Sequence, residues 1–107
     1  IDVRSESEFA QGHIPGAISL PLFNNAERAE IGTLYKQQGQ QPAILRGLGI
    51  VGPKMQQLAE SGLAHARDGR IAVQCWRGGM RSASVAWLFE KVGLQVDTVV
   101  GGYKAFR

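Results

Sequence analysis

One segment in the C-terminal third of the chain constrains the fold more than any other. An apolar run at residues 71–74 leads into Cys75, which is the only cysteine of the chain. A short loop containing Gly78 and Gly79 follows, and a strongly apolar stretch then runs over residues 82–92. This order predicts a strand, a tight loop and a helix. Units of this kind build parallel sheets in α/β proteins.

The rest of the chain continues this alternation of short apolar runs and amphipathic stretches. Strands are predicted over residues 1–3, 17–20, 70–74 and 96–100, and polar or glycine-rich turns over residues 4–8 and 12–16. Helices are predicted from a capping box at Asn24 to about Gln38, and over residues 54–66 and 82–92. The chain has 107 residues, which suits a single domain. We therefore expect an α/β fold with a central parallel sheet and helices on both faces.

The loop after residue 74 carries the candidate chemistry. Ligands of parallel sheets bind at the carboxyl ends of the strands, where Cys75 falls. Inward-facing backbone N–H groups and the start of the next helix can hold an anion and lower the pKa of a thiol. The sequence therefore predicts a catalytic nucleophile at Cys75. The candidate anion-binding loop comprises Trp76, Arg77, Gly78, Gly79, Met80 and Arg81. A lone cysteine can also pack as a small hydrophobe, but two glycines beside two cations favour the nucleophile.

Composition excludes several classes of protein. A single cysteine cannot form an internal disulfide and fits a reducing, cytoplasmic environment. It also argues against a zinc site, so neither a metal nor a cofactor is expected in this domain. No apolar run approaches the roughly 20 residues that cross a bilayer, so we expect no membrane partner. The formal net charge of +3 is compatible with an anionic partner such as RNA.

Residues 47–52 match the dinucleotide-binding pattern G-x-G-x-x-G. A dinucleotide site also needs a preceding strand and an acidic residue about 20 positions further on. Only residues 43–45 could supply the strand, and Asp68 is a weak candidate for the acid. We interpret the segment as an ordinary glycine-rich bend.

Three separated pieces of the sequence resemble the signatures of rhodanese domains. They are Asp2-Val3-Arg4 with Glu8-Phe9 and Gly12-His13-Ile14-Pro15-Gly16-Ala17, the Cys75 loop, and Gly101-Gly102-Tyr103 with Phe106. Residues 24–36, 51–54 and 75–82 are further similar to the rhodanese half of bacterial tRNA 2-selenouridine synthases. The resemblance spans nearly the whole chain.

The resemblance implies a sulfur/selenium transferase domain. That family converts 2-thiouridine to 2-selenouridine at the tRNA wobble position with selenophosphate, and makes a geranylated 2-thiouridine from geranyl diphosphate. It also implies a single rhodanese-like domain without the P-loop domain that follows it in the family. The abrupt start on the strand-like residues 1–3 leads us to expect a fragment that lacks its N-terminal edge. The expected partners are tRNA, selenophosphate and that P-loop domain in the same polypeptide. Cys75 matches the catalytic cysteine of the family.

The loop length leaves alternatives open. Five residues separate Cys75 from Arg81, one more than in many sulfur-transferring rhodaneses. This spacing resembles dual-specificity phosphatases and arsenate reductases, whose loops hold a tetrahedral oxyanion, but selenophosphate has a tetrahedral group as well. Gln74 stands where phosphatases usually have histidine, which disfavours that class. A generic thiosulfate sulfurtransferase is the other enzyme alternative. A non-catalytic binding module ranks last because Cys75 is present.

Two aromatic or basic side chains have more than one interpretation. His13 could activate a cysteine, but its place in the Gly-His-Ile-Pro-Gly turn favours a structural role. Trp76 could stack on an RNA base or shield the thiolate from water.

Asp2, Arg4 and Glu8 are expected to form a charge cluster that orients loops at the end of the sheet.

Overall fold

The computed structural model describes residues 1–77, 79–99 and 101–107. Helices and a small parallel sheet make up this part of the chain. The helices are α1 (Glu6–Gln11), α2 (Asn25–Gln38), α3 (Gln40–Val51), α4 (Met55–His65), α5 (Met80–Lys91) and α6 (Gly102–Phe106). A 3₁₀ turn, Gly52–Lys54, separates α3 from α4, and the strands are β1 (Arg70–Val73) and β2 (Gln95–Thr98).

The two strands form the parallel pair that the sequence predicts. Ile71 lies opposite Val96 and Val73 lies opposite Thr98, and α5 connects the two strands. The predicted α/β fold with a parallel sheet is therefore confirmed. Along β1, Ile71 and Val73 are buried, whereas Arg70 and Ala72 are exposed. The predicted strand over residues 96–100 begins one residue earlier than expected, and its last residue, Val100, lies outside the described residues.

The two N-terminal runs predicted as strands extend this sheet only by single bridges. Asp2 pairs in parallel with Ser19 on one side and with Gln74 on the other. Ser19 is followed by Leu20, whose N–H donates to the Asp2 carbonyl, but the next residue is Pro21, which has no N–H to continue a ladder. The expectation of full strands at residues 1–3 and 17–20 is therefore wrong, although their position and parallel direction are as predicted.

Phe89 lies at the centre of the core and is fully buried. It faces Gly62 of α4 so closely that a Cβ atom at residue 62 would lie 2.4 Å from a ring carbon. The buried apolar cluster that includes Phe89 combines side chains of β1, α3, α4 and α5 with side chains of the connecting loops. It contains Val3, Leu22, Phe23, Ile50, Leu58, Ile71, Val73, Cys75, Val85, Ala86, Phe89 and Leu94.

Three helices agree closely with their prediction. Asn24 caps α2 by accepting from the N–H of Glu27, whose side chain accepts from the N–H of Asn24, and Gly39 ends the helix with φ 95°. This is the predicted capping box. The helix predicted over residues 54–66 is α4, and that predicted over residues 82–92 is α5, which starts two residues earlier.

Two other helices contradict the sequence prediction. Residues 4–8 were expected to form a turn, but α1 begins at Glu6 because Ser5 and Glu8 form a capping box. Residues 47–51 of the supposed glycine-rich bend belong to α3. Gly47 is buried there against the ring of Phe23, and a Cβ atom would meet that ring at 3.3 Å. The glycine serves helix packing, so neither a bend nor a dinucleotide loop is present at this position.

Candidate active site

Cys75 lies at the carboxyl end of β1, at the floor of the loop that leads into α5. The side chain is 3% exposed. Its carbonyl oxygen accepts from the N–H of Tyr103 at 2.9 Å, and the carbonyl oxygen of Trp76 accepts from Lys104 at 2.8 Å. These bonds fasten α6 to the start of the loop, so the C-terminal segment forms one wall of the site.

Hydrogen bonds converge on the sulfur of Cys75. The Oγ atom of Ser82 lies 3.2 Å from Sγ, and the N–H of Gly79 donates to Sγ at 3.2 Å. Burial acts to raise the pKa of the thiol, but the bonds from Ser82, Gly79 and the backbone of Arg77 outweigh it, so the pKa of Cys75 is lowered. Because the thiolate is the nucleophilic form of cysteine, this arrangement favours reactivity.

Ser82 is the site residue that sequence reasoning missed. The sequence identified it only as the start of a helix, yet its side chain is 1% exposed and contacts Sγ. Its hydroxyl has one proton, which can go to the carbonyl oxygen of Gly79, 3.1 Å away, or to Sγ. A thiolate can only accept, so it draws this proton toward sulfur. The sequence signal that could have identified Ser82 was its position one residue after Arg81, in the first turn of the helix that follows the loop.

Arg81 points to a carboxylate. Its Nη1 atom donates to Oε1 of Glu8 at 2.8 Å and its Nη2 atom donates to Oε2 at 3.4 Å. Arg28 also contacts Oε1 of Glu8, at 3.0 Å. Burial acts to raise the pKa of Glu8, but the hydrogen bond and charge of Arg81 dominate and lower it to about 2. Glu8 thus bonds directly to the loop side of the site, while its charge also acts to raise the pKa of Arg4, the residue with which it was expected to cluster.

The other predicted loop residues take different positions. Trp76 is half-buried, Arg77 is exposed, and Met80 is 57% exposed as the first residue of α5. The N–H of Gly79 faces the sulfur, whereas Gly78 lies outside the described residues. The assignment of these residues to substrate anion binding stays a prediction.

Asp2 and Arg4 form a buried ion pair beneath this wall. The Nη2 atom of Arg4 donates to Oδ2 of Asp2 at 2.8 Å, and both side chains are almost fully buried. The same nitrogen donates to the carbonyl oxygen of Gly12, and the guanidinium lies 4.3 Å from the ring centroid of Tyr103. A Cβ atom on Gly12 would lie 2.4 Å from the Tyr103 hydroxyl oxygen. The N-terminal and C-terminal signatures are therefore in direct contact.

His13 lies in the turn that follows α1. Its ring stacks on Phe9 with centroids 3.8 Å apart, and Nδ1 lies 3.1 Å from the Phe9 carbonyl oxygen. These contacts give the histidine a structural place in the turn.

An apolar groove of about 650 Å³ opens beside the loop between α2, α3 and the first turn of α5. Phe23, Ile31 and Val51 lie along it, and Arg28 and Arg81 reach it from the loop side. The side chain of Arg81 is therefore directed toward this groove and Glu8. In the described part of the chain, no helix is long and apolar enough to cross a membrane.

The sequence profile of the Rhodanese-like domain matches residues 1–107. The chain belongs to the rhodanese-like domain family. It is 48% identical over 110 residues to the tRNA 2-selenouridine synthase of Cronobacter sakazakii and 46% identical over 112 residues to that of Pseudomonas putida. Both matches cover 100% of this chain, which spans 29% and 30% of those relatives.

A solved structure gives the same fold. The crystal structure of the N-terminal domain of a putative ATP/GTP binding protein from Clostridium difficile 630 matches with a TM-score of 0.90 and 44% identity. The match covers 99% of this chain and 83% of that one. The resemblance inferred from the signatures is thus confirmed, and the relatives contain this rhodanese-like domain within a longer polypeptide.

Proposed function

We propose that this chain is a sulfur/selenium transferase domain in which Cys75 is the nucleophile. The observation that carries the proposal is the setting of Cys75: its Sγ atom accepts from the N–H of Gly79 and lies 3.2 Å from the Ser82 hydroxyl, and the pKa of the thiol is lowered. The relatives are named tRNA 2-selenouridine synthases, which supports a tRNA substrate for the longer protein. The reaction we propose for that longer protein is conversion of 2-thiouridine to 2-selenouridine at the wobble position.

With a thiosulfate-type donor, the Cys75 thiolate attacks the outer sulfur. The S–S bond of the donor breaks, sulfite leaves with the electron pair, and a persulfide remains on Cys75. The hydrogen bonds at Sγ stabilise the thiolate before attack. This step needs only the loop, so it is open to the isolated domain.

With selenophosphate, the same thiolate attacks phosphorus. The P–Se bond breaks, its electron pair leaves on selenium as hydrogen selenide, and the phosphoryl group on Cys75 passes to water as phosphate. The selenide then replaces the sulfur at C2 of 2-thiouridine, which leaves as hydrogen sulfide. Ser82 supports the transfer of the phosphoryl group from Cys75 to water, because its hydroxyl stabilises the thiolate of Cys75 as it leaves phosphorus.

The full reaction includes partners beyond this chain. The proposal assigns tRNA, selenophosphate and geranyl diphosphate as substrates of the longer protein, and a P-loop domain in the same polypeptide after this one. The relatives are about three times as long as this chain. The solved neighbour is an N-terminal domain of a putative ATP/GTP binding protein, which supports a following nucleotide-binding domain.

The deciding experiment supplies the longer polypeptide with selenophosphate and a 2-thiouridine tRNA and detects 2-selenouridine by mass spectrometry. Selenation is expected for the native protein and lost in Cys75→Ser, since a serine hydroxyl is a far weaker nucleophile. Ser84→Ala is the control, because Ser84 is an exposed residue of α5 two positions after Ser82. Selenation that survives Cys75→Ser would refute the proposal and assign the chemistry to another domain.

A phosphatase is the second candidate, favoured by the five-residue spacing to Arg81 and by the Ser82 contact with sulfur. The isolated domain would be given an aryl phosphate, and separately thiosulfate with cyanide. We expect no phosphatase activity and weak thiosulfate turnover, since the longer loop fits that donor poorly. Robust Cys75-dependent cleavage of the aryl phosphate without selenation would establish the phosphatase.

A further inference from the structure

Two segments of the chain beside Cys75 are basic in sequence. Residues 75–82 and 99–107 contain four of the twelve lysines and arginines and none of the nine acidic residues. The rest of the chain has eight cations and nine carboxylates, so it has no positive excess of its own. The two segments meet in the structure, because Cys75 and Trp76 accept backbone hydrogen bonds from α6. Arg81 is paired with Glu8, so the cations that face solvent at the mouth of the loop are Arg77, Lys104 and Arg107.

Three aromatic rings extend from this mouth. Trp76 and Tyr103 have ring centroids 6.1 Å apart, and Tyr103 and Phe106 have centroids 6.0 Å apart. We call these three side chains the aromatic row. It begins at the residue that follows Cys75 and ends at Phe106, which is 53% exposed.

Cations accompany the aromatic row. The guanidinium of Arg107 lies 5.1 Å from the ring centroid of Trp76, and the side chains of Arg77 and Lys104 are exposed. Tyr103 is held from below by the buried Arg4, which is itself paired with Asp2. The position of the Tyr103 ring is thus fixed by the fold, whereas Phe106 and the three cations face solvent.

This combination matches the chemistry of unpaired nucleotides. Successive bases stack on aromatic side chains, while lysines and arginines neutralise the phosphates. A small anion would use the cations but would leave an exposed phenylalanine without a function. A duplex keeps its bases stacked on one another and offers no free base to the rings.

We propose that the aromatic row, together with Arg77, Lys104 and Arg107, binds single-stranded RNA and brings a nucleotide to Cys75. The identity of that nucleotide as the wobble base rests on the proposed function, but the binding surface does not. A base stacked on Phe106 and the Trp76–Arg107 pair places its strand along the wall formed by α6, beside the loop.

The test measures fluorescence anisotropy of a labelled RNA hairpin with an unpaired loop, and of a duplex of the same length. Cys75→Ser protein without any chalcogen donor is used, so binding is separated from transfer. Phe106→Ala is expected to weaken hairpin binding roughly tenfold, because a stacking ring is lost. Phe106→Tyr should restore it. Lys104→Ala should lower the slope of log affinity against log salt by about 0.7, the value for one phosphate contact on a single strand.

Trp87→Ala is the matched control. Trp87 is 54% exposed and has the ammonium of Lys91 5.5 Å from its ring centroid, but it lies on α5, outside the two segments that meet at Cys75. It should bind the hairpin like the Cys75→Ser parent. Equal losses in Phe106→Ala and Trp87→Ala, or equal affinity for hairpin and duplex, would overturn the proposal. So would Phe106-dependent binding of the following protein domain with no binding of RNA, which would make the surface a protein interface.

The outcomes also separate this surface from the transfer chemistry. RNA binding that depends on Phe106 while the longer protein fails to selenate tRNA would support the surface and refute the proposed reaction. If the longer protein selenates tRNA but hairpin binding does not depend on Phe106, Lys104 or Arg107, the proposed reaction would be supported and the proposed binding surface refuted.

Discussion

Arg81 donates to both carboxylate oxygens of Glu8, at 2.8 and 3.4 Å, and so connects the first turn of α5 to α1. Glu8 also accepts from Arg28 of α2. A cation predicted to hold the substrate anion is thus already paired within the protein. The carboxylate holds three helices together beside the loop, and their stability depends on its charge.

The first prediction concerns this carboxylate and pH. The pKa of Glu8 falls from 4.5 to about 2 on folding, so its ionised form stabilises the fold fully above about pH 4.5. That contribution is lost as pH falls through about 2. Urea unfolding of the native chain and Glu8→Gln should therefore show a stability difference that is constant above pH 4.5 and shrinks between pH 4.5 and 2. A difference that persists unchanged at pH 2 would show that the ion pairs do not depend on this charge.

The second prediction assigns the low pKa of Cys75 to Ser82. Alkylation by iodoacetamide as a function of pH should give an inflection below the ordinary thiol value of about 8.5. Ser82→Ala should raise this inflection, since it removes a hydroxyl that stabilises the thiolate. Arg81→Ala should raise it less, because the Arg81 guanidinium is bonded to Glu8. Ser84→Ala should leave it unchanged, and a larger effect of Arg81 than of Ser82 would contradict the assignment.

The sequence predicted those parts of the fold that local patterns specify. The capping box at Asn24 and Glu27 located the start of α2, and apolar periodicity located α4 and α5. The prediction failed at α3, because glycines usually interrupt helices. Gly47 lies within α3 because it packs closely against Phe23, and no local sequence pattern contains that tertiary contact.

The site shows the same division. The position of Cys75 at the end of β1 follows from the strand–loop–helix pattern and was predictable. The partnership of Glu8 with Arg81 spans 73 positions in the sequence and was not. Ser82 was missed because its role depends on which way the first turn of α5 faces, and this is set by packing of the helix on the sheet.

The third prediction compares a buried with an exposed ion pair. Arg4→Ala leaves the buried carboxylate of Asp2 without its partner, which should lower the free energy of unfolding by about 3–5 kcal/mol. Arg70→Ala is the control, because Arg70 pairs with Asp97 where both side chains are more than half exposed. It should cost less than about 1 kcal/mol. Urea unfolding at neutral pH measures both. Equal losses would show that burial of the Arg4 pair does not set its importance.

The fourth prediction concerns the contact between α4 and the core. A Cβ atom at Gly62 would lie 2.4 Å from a ring carbon of Phe89, which is fully buried. Gly62→Ala should therefore lower the free energy of unfolding by about 1–3 kcal/mol, the usual cost of overpacking a core. Gly32→Ala provides the opposite case, since Gly32 is also helical but has no atom within 4 Å of its Cβ position. There alanine should stabilise the fold by about 0.5–1 kcal/mol through its higher helix propensity. If both variants were stabilised, helix propensity would outweigh the contact, and the close approach of α4 to Phe89 would not be a constraint on the sequence.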